Sequence, residues 1–273
     1  MSEVDAAFIK QYESDVHMAY QRMGTKLKNT VRNKSNITGS STTFQTVGTG
    51  EAVQKARHAA LSTMDIAHAP VECTLQDWYA GDYIDKLDEL KTNIDERMVV
   101  AQSGAAALGR KTDSLITTAM DATTNAETEG GTARLTEAKI KVPFVYFGEN
   151  EIPDDGDRYW AVSPEQWTDL LGITSFTNAD YIGFDQLPYK GGMTAKRWYT
   201  FMWFGFSGLD VASSIWKTFA YHKSAVGHAS GCDVKSEINY VPEKVSHLAT
   251  SYMSQGSVII DVKGVYEVQA YAA

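Results

Sequence analysis

The sequence is poor in cysteine, and its apolar residues occur only in short runs. Its 273 residues include 2 cysteines, Cys73 and Cys232, too few for a disulfide framework in a chain long enough to bury its own core. No apolar run reaches the ~18–20 residues that a membrane-spanning helix needs. The sequence therefore excludes a disulfide scaffold and a helical membrane protein, and no membrane partner is expected.

The common signatures of catalysis are also missing. The sequence contains no phosphate-binding Gly-x4-Gly-Lys-Ser/Thr loop, no His-Glu-x-x-His helix, no Gly-x-Ser-x-Gly turn and no paired-cysteine zinc spacing. We therefore expect no enzymatic activity, no catalytic residue, no metal site and no cofactor.

Three groups of polar residues still have side chains of the types used in metal or thiol chemistry. They are His222, His228, Cys232 and Asp233 as zinc ligands, Cys73 with His58 and His68 as a thiol site, and Asp154, Asp155 and Asp157 around Gly156 as a calcium loop. Their spacing fits no familiar zinc or EF-hand site, and Cys73 falls on the inward face of a predicted strand. We expect packing residues and a tight acidic turn. A soluble metal- or thiol-dependent enzyme stays open as an alternative.

The charge distribution is uneven. The net charge is −9, which argues against a protein whose whole surface grips nucleic acid. Between positions 22 and 34, however, every charged residue is basic: Arg22, Lys26, Lys28, Arg32 and Lys34. This segment is either a solvated arm or a contact with a negatively charged partner.

The first part of the chain predicts a helix followed by a long extension. Apolar residues three to four apart indicate a helix over residues 5–23, ended by Gly24. Residues 35–70 are polar and too long for an ordinary connection. Within them, 42–47 and 59–67 are the predicted strands of an extended hairpin. Because an isolated two-stranded hairpin is only marginally stable, this one needs a neighbour.

The strongest local signal predicts a long helix. A strand over 71–80 and a short helix over 83–90 precede it. Asn93 is the expected cap, with Glu96 three residues later, and apolar residues at helical spacing continue to Ala119. Gly104 and Gly109 lie inside this helix, where glycine is unfavourable, so we expect close packing there.

Strand patterns dominate the remainder. The predicted strands are 138–147, 158–162, 201–206, 237–240, 245–252, 257–261 and 265–270, with breaks at Gln255-Gly256 and Lys263-Gly264. Ser163 followed by Pro164 and Gln166 predicts a capped helix, which ends at Gly172.

The order of these segments resembles one known plan over nearly the whole chain. Local similarities are Phe8-Ile-Lys-Gln-Tyr12 running to Gly24-Thr-Lys-Leu27, the stretch Ile152-Pro-Asp-Asp-Gly-Asp-Arg-Tyr-Trp-Ala-Val-Ser-Pro164, and Phe219-Ala-Tyr-His-Lys-Ser-Ala-Val-Gly227. In these features the chain resembles the major capsid proteins of tailed bacteriophages with the HK97-type fold.

The resemblance implies an α+β fold with five parts. They are an N-terminal arm (1–29), an extended loop (30–72), a peripheral domain with a spine helix (73–136), an axial domain (137–236) and closing strands of the peripheral domain (237–273). One departure is the strand predicted over 139–147, where such proteins carry a helix. The family's Lys–Asn crosslink has no recognisable counterpart in this sequence.

The resemblance also implies partners and a location. Copies of the chain would form hexamers and pentamers of an icosahedral head that encloses double-stranded DNA, which the basic segment would contact without sequence preference. Portal, scaffold or decoration proteins are possible further partners. The subunit would be assembled in the host cytoplasm and end in the virion. The length leaves no room for an inserted domain or scaffolding segment. An encapsulin-like compartment that holds protein cargo is the alternative within the same fold.

Overall fold

The computed structural model describes residues 21–87, 96–127, 133–177 and 195–272. The helices are α1 (Glu96–Met120), α2 (Glu137–Glu149), α3 (Pro164–Leu171) and α4 (Thr174–Thr177), with short 3-10 helices at Lys28–Thr30, Lys223–Ala225, Pro242–Lys244 and Val262–Gly264. The predicted helix over 5–23 falls mostly outside the described residues, as does the predicted cap Asn93. The long predicted helix is confirmed as α1.

Within the described residues, the strands form three sheets. They are β1 (Arg32–Lys34), β2 (Ser41–Val47), β3 (His68–Thr74), β4 (Gln76–Asp85), β5 (Ala126–Glu127), β6 (Arg158–Val162), β7 (Lys196–Trp198), β8 (Phe201–Gly205), β9 (Val211–Ala212), β10 (Ile215–His222), β11 (Val226–Val241), β12 (Ser246–Ile259) and β13 (Val265–Tyr271). The orders are β1-β11-β12-β4, β5-β13-β10-β6-β8-β7 with β9 beside β10, and β2-β3. The predicted α+β class is confirmed.

The chain forms two compact units. The first contains Met1–Gly24, Asp77–Lys111 and Asp233–Met253, and the second contains Thr25–Gln76, Thr112–Cys232 and Ser254–Ala273.

In the first unit, the glycines of α1 lie where other chain segments come close. A Cβ atom added to Gly104 would be 2.9 Å from Ser251 Oγ, and one added to Gly109 would be 2.9 Å from the carbonyl carbon of Gly24. Gly24 itself has φ +70°, a left-handed conformation that favours glycine. The close packing expected at Gly104 and Gly109 is confirmed.

The second unit is built around its large sheet. Because successive strand residues point to opposite faces, β6 sends Trp160 and Val162 into one apolar cluster and Ala161 into another. The first cluster includes residues of α2 and α3, and its aromatic centre consists of Phe147, Trp160, Trp167, Phe176, Phe201 and Trp203. The rings of Trp160 and Trp203 stack with centroids 4.3 Å apart. Both faces of this sheet are therefore covered.

The strand predicted over 138–147 is wrong, because these residues form helix α2. Apolar residues alternate at Ile140, Val142, Phe144 and Tyr146, which imitates a strand. The residues that are buried, Lys139, Ile140, Pro143 and Phe147, have helical spacing instead. This helical face packs against the sheet, so the apparent departure from the capsid plan disappears.

The predicted cap of α3 is confirmed. Ser163 Oγ accepts a hydrogen bond from the Gln166 backbone N–H at 3.2 Å, and the Ser163 N–H donates to Gln166 Oε1 at 3.0 Å. The helix ends at Gly172. The predicted strands over 158–162 and 201–206 are confirmed as β6 and β8.

Some predicted boundaries are wrong. β4 continues through Asp85 where a helix was expected from residue 83, and β12 passes through Gln255-Gly256 without a break. A Cβ atom added to Gly256 would be 2.1 Å from the Thr74 carbonyl oxygen. Glycine therefore marks a close approach between backbones here rather than a turn. The break at Lys263-Gly264 is confirmed as a 3-10 helix.

Candidate assembly surfaces

The predicted hairpin exists, with one strand displaced from its expected position. β2 and β3 pair antiparallel over seven residues, from Ser41 opposite Thr74 to Val47 opposite His68. The first strand confirms the prediction over 42–47. The second strand, predicted over 59–67, lies at 68–74, where Cys73 is buried in an apolar cluster.

The root of the hairpin is held by a small apolar cluster. Phe44 and Cys73 pack with Ala229 and Ile260. Cys73 is buried, and burial raises the pKa of its thiol. Nucleophilic cysteines instead need an accessible thiolate next to a base. Cys73 is therefore a packing residue, as expected.

The loop between the two strands, residues 48–67, contains no strand. It exposes large apolar side chains: Val53 is 60% accessible, Leu61 73% and Met64 50%. Several large exposed apolar side chains in one loop are typical of a surface that another molecule covers.

The five residues of the basic segment belong to different units and make different contacts. Arg22 belongs to the first unit and the others to the second. Lys26 Nζ donates to the Gly205 carbonyl at 3.3 Å, and the Lys28 carbonyl accepts a hydrogen bond from Asn33 Nδ2 at 2.6 Å.

Two basic residues share one face of β1 and contact β2. The Arg32 guanidinium lies 5.8 Å from the centre of the Phe44 ring, and Lys34 Nζ donates to Thr42 Oγ1 at 2.7 Å. Both residues remain exposed. They therefore steady the root of the hairpin while still presenting charge to solvent.

A cleft of about 620 Å³ lies beside this segment in the second unit. Its lining includes Arg32 and Lys223 together with Asp155 and Asp157. Charges of both signs line it, so the cleft is not a simple anion site.

The histidines proposed as zinc ligands have separate partners. His222 contacts Ser224 Oγ at 2.7 Å and Asp155 Oδ1 at 3.1 Å, whereas His228 Nδ1 contacts Ser257 Oγ at 2.9 Å. Within the described ranges, no three His, Cys, Asp or Glu side chains are grouped so that they could hold a metal ion.

The acidic stretch 154–157 forms a tight turn. Asp155 Oδ1 accepts the Asp157 backbone N–H at 3.0 Å, and Gly156 has φ +95°. The Asp157 hydrogen bond, with help from His222, holds the pKa of Asp155 below its usual range.

Sequence reasoning missed two residues that anchor the end of the predicted arm (1–29) and the residue that follows it. Asp113 of α1 accepts hydrogen bonds from the backbone N–H groups of Lys26 and Leu27, and Tyr221 contacts Thr30. A single Asp within a helix and a single Tyr within a strand give no signal in the sequence.

Among the helices of the described part, none is long and apolar enough to cross a membrane.

Comparison with known structures defines the class of the fold. The chain is similar to the capsid of cyanophage P-SCSP1u (TM-score 0.75, 19% identity, 98% of this chain and 93% of that chain covered). It is similar to a structure of Mycobacterium phage Che8 (TM-score 0.74, 17% identity, 96% and 97% covered). It is also similar to the capsid of a native GTA particle (TM-score 0.75, 12% identity, 100% and 99% covered). The fold is the HK97-type capsid fold.

The family follows from the sequence itself. The profile of a family described as phage capsid protein matches residues 4–271, so the chain belongs to that family. No curated protein is significantly similar to it.

Family and fold together make this chain a major capsid subunit of a phage head, a virion component that assembles with copies of itself. It is a structural protein and not an enzyme. The encapsulin-like and enzymatic alternatives are not favoured.

Proposed function

We propose that this subunit forms hexamers and pentamers of an icosahedral shell in which its hairpin lies across an adjacent subunit. The five parts predicted from the sequence would then serve as arm (1–29), extended loop (30–72), peripheral domain (73–136 with 237–273) and axial domain (137–236). The exposed apolar loop of the hairpin is the observation that carries this proposal.

The hairpin needs stabilising contacts beyond those that it makes within its own subunit. Two strands alone are marginally stable in water, and the apolar cluster of this hairpin contacts only its root. A neighbour that covers Val53, Leu61 and Met64 would bury the remaining apolar surface. Repeated over many copies, such modest contacts sum to a durable shell.

Electron microscopy of the expressed protein tests the proposal. We expect closed shells from the full chain. A variant in which an Asn-Gly turn replaces residues 48–67 joins Val47 to His68, which already face each other. This variant should fold as a subunit and fail to close shells. Normal shells from it would contradict the role of the hairpin.

The shell would enclose double-stranded DNA, with the basic segment facing the genome. Arg22, Lys26, Lys28, Arg32 and Lys34 would make phosphate contacts that need no sequence recognition. This part of the proposal is supported by the uninterrupted run of basic charges in a chain of net charge −9.

Neutralising those five residues to Gln should reduce genome retention in particles that still close, most strongly at low salt, where phosphate contacts contribute most. Lys55→Gln with Arg57→Gln, two basic changes in the hairpin loop, is the matched control and should retain DNA. Unchanged retention in the fivefold variant would contradict the DNA contact.

Portal, scaffold or decoration proteins would complete the head, and assembly would take place in the host cytoplasm. Purification of particles from infected cells, followed by identification of their contents, tests this part. Shells that contain protein cargo instead of DNA would indicate an encapsulin-like compartment.

A further inference from the structure

A buried carboxylate organises the end of the predicted arm (1–29). Asp113, on α1, has no exposed surface. Its Oδ1 accepts the backbone N–H of Lys26 at 3.1 Å and that of Leu27 at 3.0 Å. These N–H groups lie at the start of the 3-10 helix Lys28–Thr30, whose own cap residue, Leu27, offers no side-chain acceptor. Asp113 therefore binds the two backbone N–H groups that immediately precede this helix, from a distant part of the sequence.

A second contact fixes the other end of the same short helix. Thr30 Oγ1 lies 2.5 Å from the Tyr221 hydroxyl and donates to the Leu27 carbonyl at 2.8 Å. Tyr221 is fully buried, and burial raises its pKa far above the usual value, so it stays neutral. Leu27 and Val31, on either side, are completely buried. Polar and apolar contacts thus hold residues 26–31 in one conformation.

We propose that Asp113 is a positioning residue for shell assembly, because it fixes the conformation of residues 26–31, which we call the junction. A closed shell repeats similar contacts between many copies of one chain, and these contacts are easier to repeat when the segment that leads into them has a fixed conformation. A carboxylate that accepts two backbone N–H groups defines this junction more sharply than apolar contacts, which have no direction. The proposal needs only membership of the capsid family and does not depend on the DNA contact.

Asp113→Asn tests the proposal while keeping the shape of the side chain. The amide has one acceptor oxygen and places an NH2 group near the N–H donors, so the junction should open more often. Trypsin reports the opening, because Lys26 and Lys28 lie within the junction while Lys55 and Arg57 lie in the exposed hairpin loop. We expect the ratio of junction cleavage to loop cleavage to rise on the order of tenfold or more.

The same variant should yield a higher fraction of open or irregular particles by electron microscopy. Asp121→Asn is the matched control. It makes the same chemical change just beyond the end of α1, where Asp121 pairs with Lys217 on the surface, and should leave both readouts unchanged. A general loss of stability would also raise cleavage at Lys139 and Lys196, which are buried elsewhere in the second unit. Loss of the junction contacts alone should leave cleavage at those two sites at the wild-type rate.

Thr30→Val provides a milder test if D113N does not fold. It removes the hydroxyl that meets Tyr221, and it should raise the same cleavage ratio by a smaller factor, with Thr30→Ser restoring it. An unchanged ratio in D113N and T30V would overturn the proposal. A raised ratio in particles that are all closed and uniform would overturn it too.

Discussion

The large sheet and the β2–β3 hairpin of the second unit differ in how much of their apolar surface is buried within the subunit. The sheet has apolar clusters on both faces, with Trp160 and Trp203 completely buried at its centre. The hairpin has one small cluster at its root and leaves Val53, Leu61 and Met64 exposed. The sheet buries its apolar residues within one copy of the chain, whereas the hairpin leaves apolar side chains exposed, which we propose a second copy covers.

We therefore expect folding of the single subunit and assembly of the shell to depend on different residues. Substitutions in the sheet should change the free energy of unfolding of the single subunit. Substitutions in the hairpin loop should change only the yield of shells.

The largest effect is expected from Trp160→Ala. This change removes a stacked ring and the hydrogen bond from Trp160 Nε1 to Thr218 Oγ1 at 2.9 Å, leaving a cavity. We expect a loss of about 3–5 kcal/mol in the free energy of unfolding, measured by urea titration of unassembled subunits. Tyr271→Ala, at a 42% exposed site in the same sheet, should cost no more than ~0.5 kcal/mol. Equal losses in the free energy of unfolding for the two variants would contradict the role given to the buried centre of the sheet.

Gly256→Ala should have the next largest effect, at the hairpin root. The new Cβ would lie 2.1 Å from the Thr74 carbonyl oxygen and 3.3 Å from Cys73 Sγ, so the backbones must separate. We expect a loss of about 1–3 kcal/mol and faster amide exchange in β2 and β3.

Gly148→Ala is the control for that change and should have the opposite sign. Gly148 lies in α2 with no atom within 4 Å of the added Cβ. Replacing an open helical glycine by alanine should stabilise the subunit by up to about 1 kcal/mol. Slower exchange of β2 and β3 amides in G256A would contradict the role given to Gly256.

Replacing Val53, Leu61 and Met64 together by Ser tests most directly whether the hairpin loop contributes to assembly and not to folding. Because these side chains are exposed in the single subunit, its free energy of unfolding should change by no more than ~0.5 kcal/mol. The yield of closed shells, counted by electron microscopy, should fall strongly. Gln54→Ser with Thr63→Ser, polar changes in the same loop, should assemble normally. Normal shells from the triple variant would refute the interface.

The smallest effect concerns acid stability at the 154–157 turn. The pKa of Asp155 is lowered by the Asp157 backbone N–H and by His222. Ionised Asp155 therefore favours the folded state above about pH 4, and this contribution is lost as the pH falls through the lowered pKa. In Asp155→Asn, the thermal unfolding midpoint should drop slightly less between pH 6 and pH 3 than in the wild type. Identical pH dependence would contradict this interpretation.

Much of the fold was predictable because local chemistry and packing agree. The capping box at Ser163 and the helical stripe of α1 needed no tertiary information. The close packing at Gly104 and Gly109 was predicted from their cost in a helix, and the structure shows the neighbours that explain it.

The errors arose where two patterns fit the same residues. Ile140 to Tyr146 satisfies both a strand and a helix period, and only the sheet beneath α2 decides between them. The second hairpin strand was placed too early, because its position depends on the partners of Cys73, which are distant in sequence. Asp113 could not be found at all, since its partners are backbone N–H groups.

The seven-residue register of the hairpin limits how its length can vary. Phe44 and Cys73 point to one face of the ribbon, and deleting a single residue from β2 or β3 between its anchors would turn the rest of that strand over. Removing two residues would return the side chains of that strand to their original faces. We therefore expect insertions and deletions within β2 and β3 to occur two residues at a time. The loop between Val47 and His68 can lose or gain any number of residues, because it contains no strand.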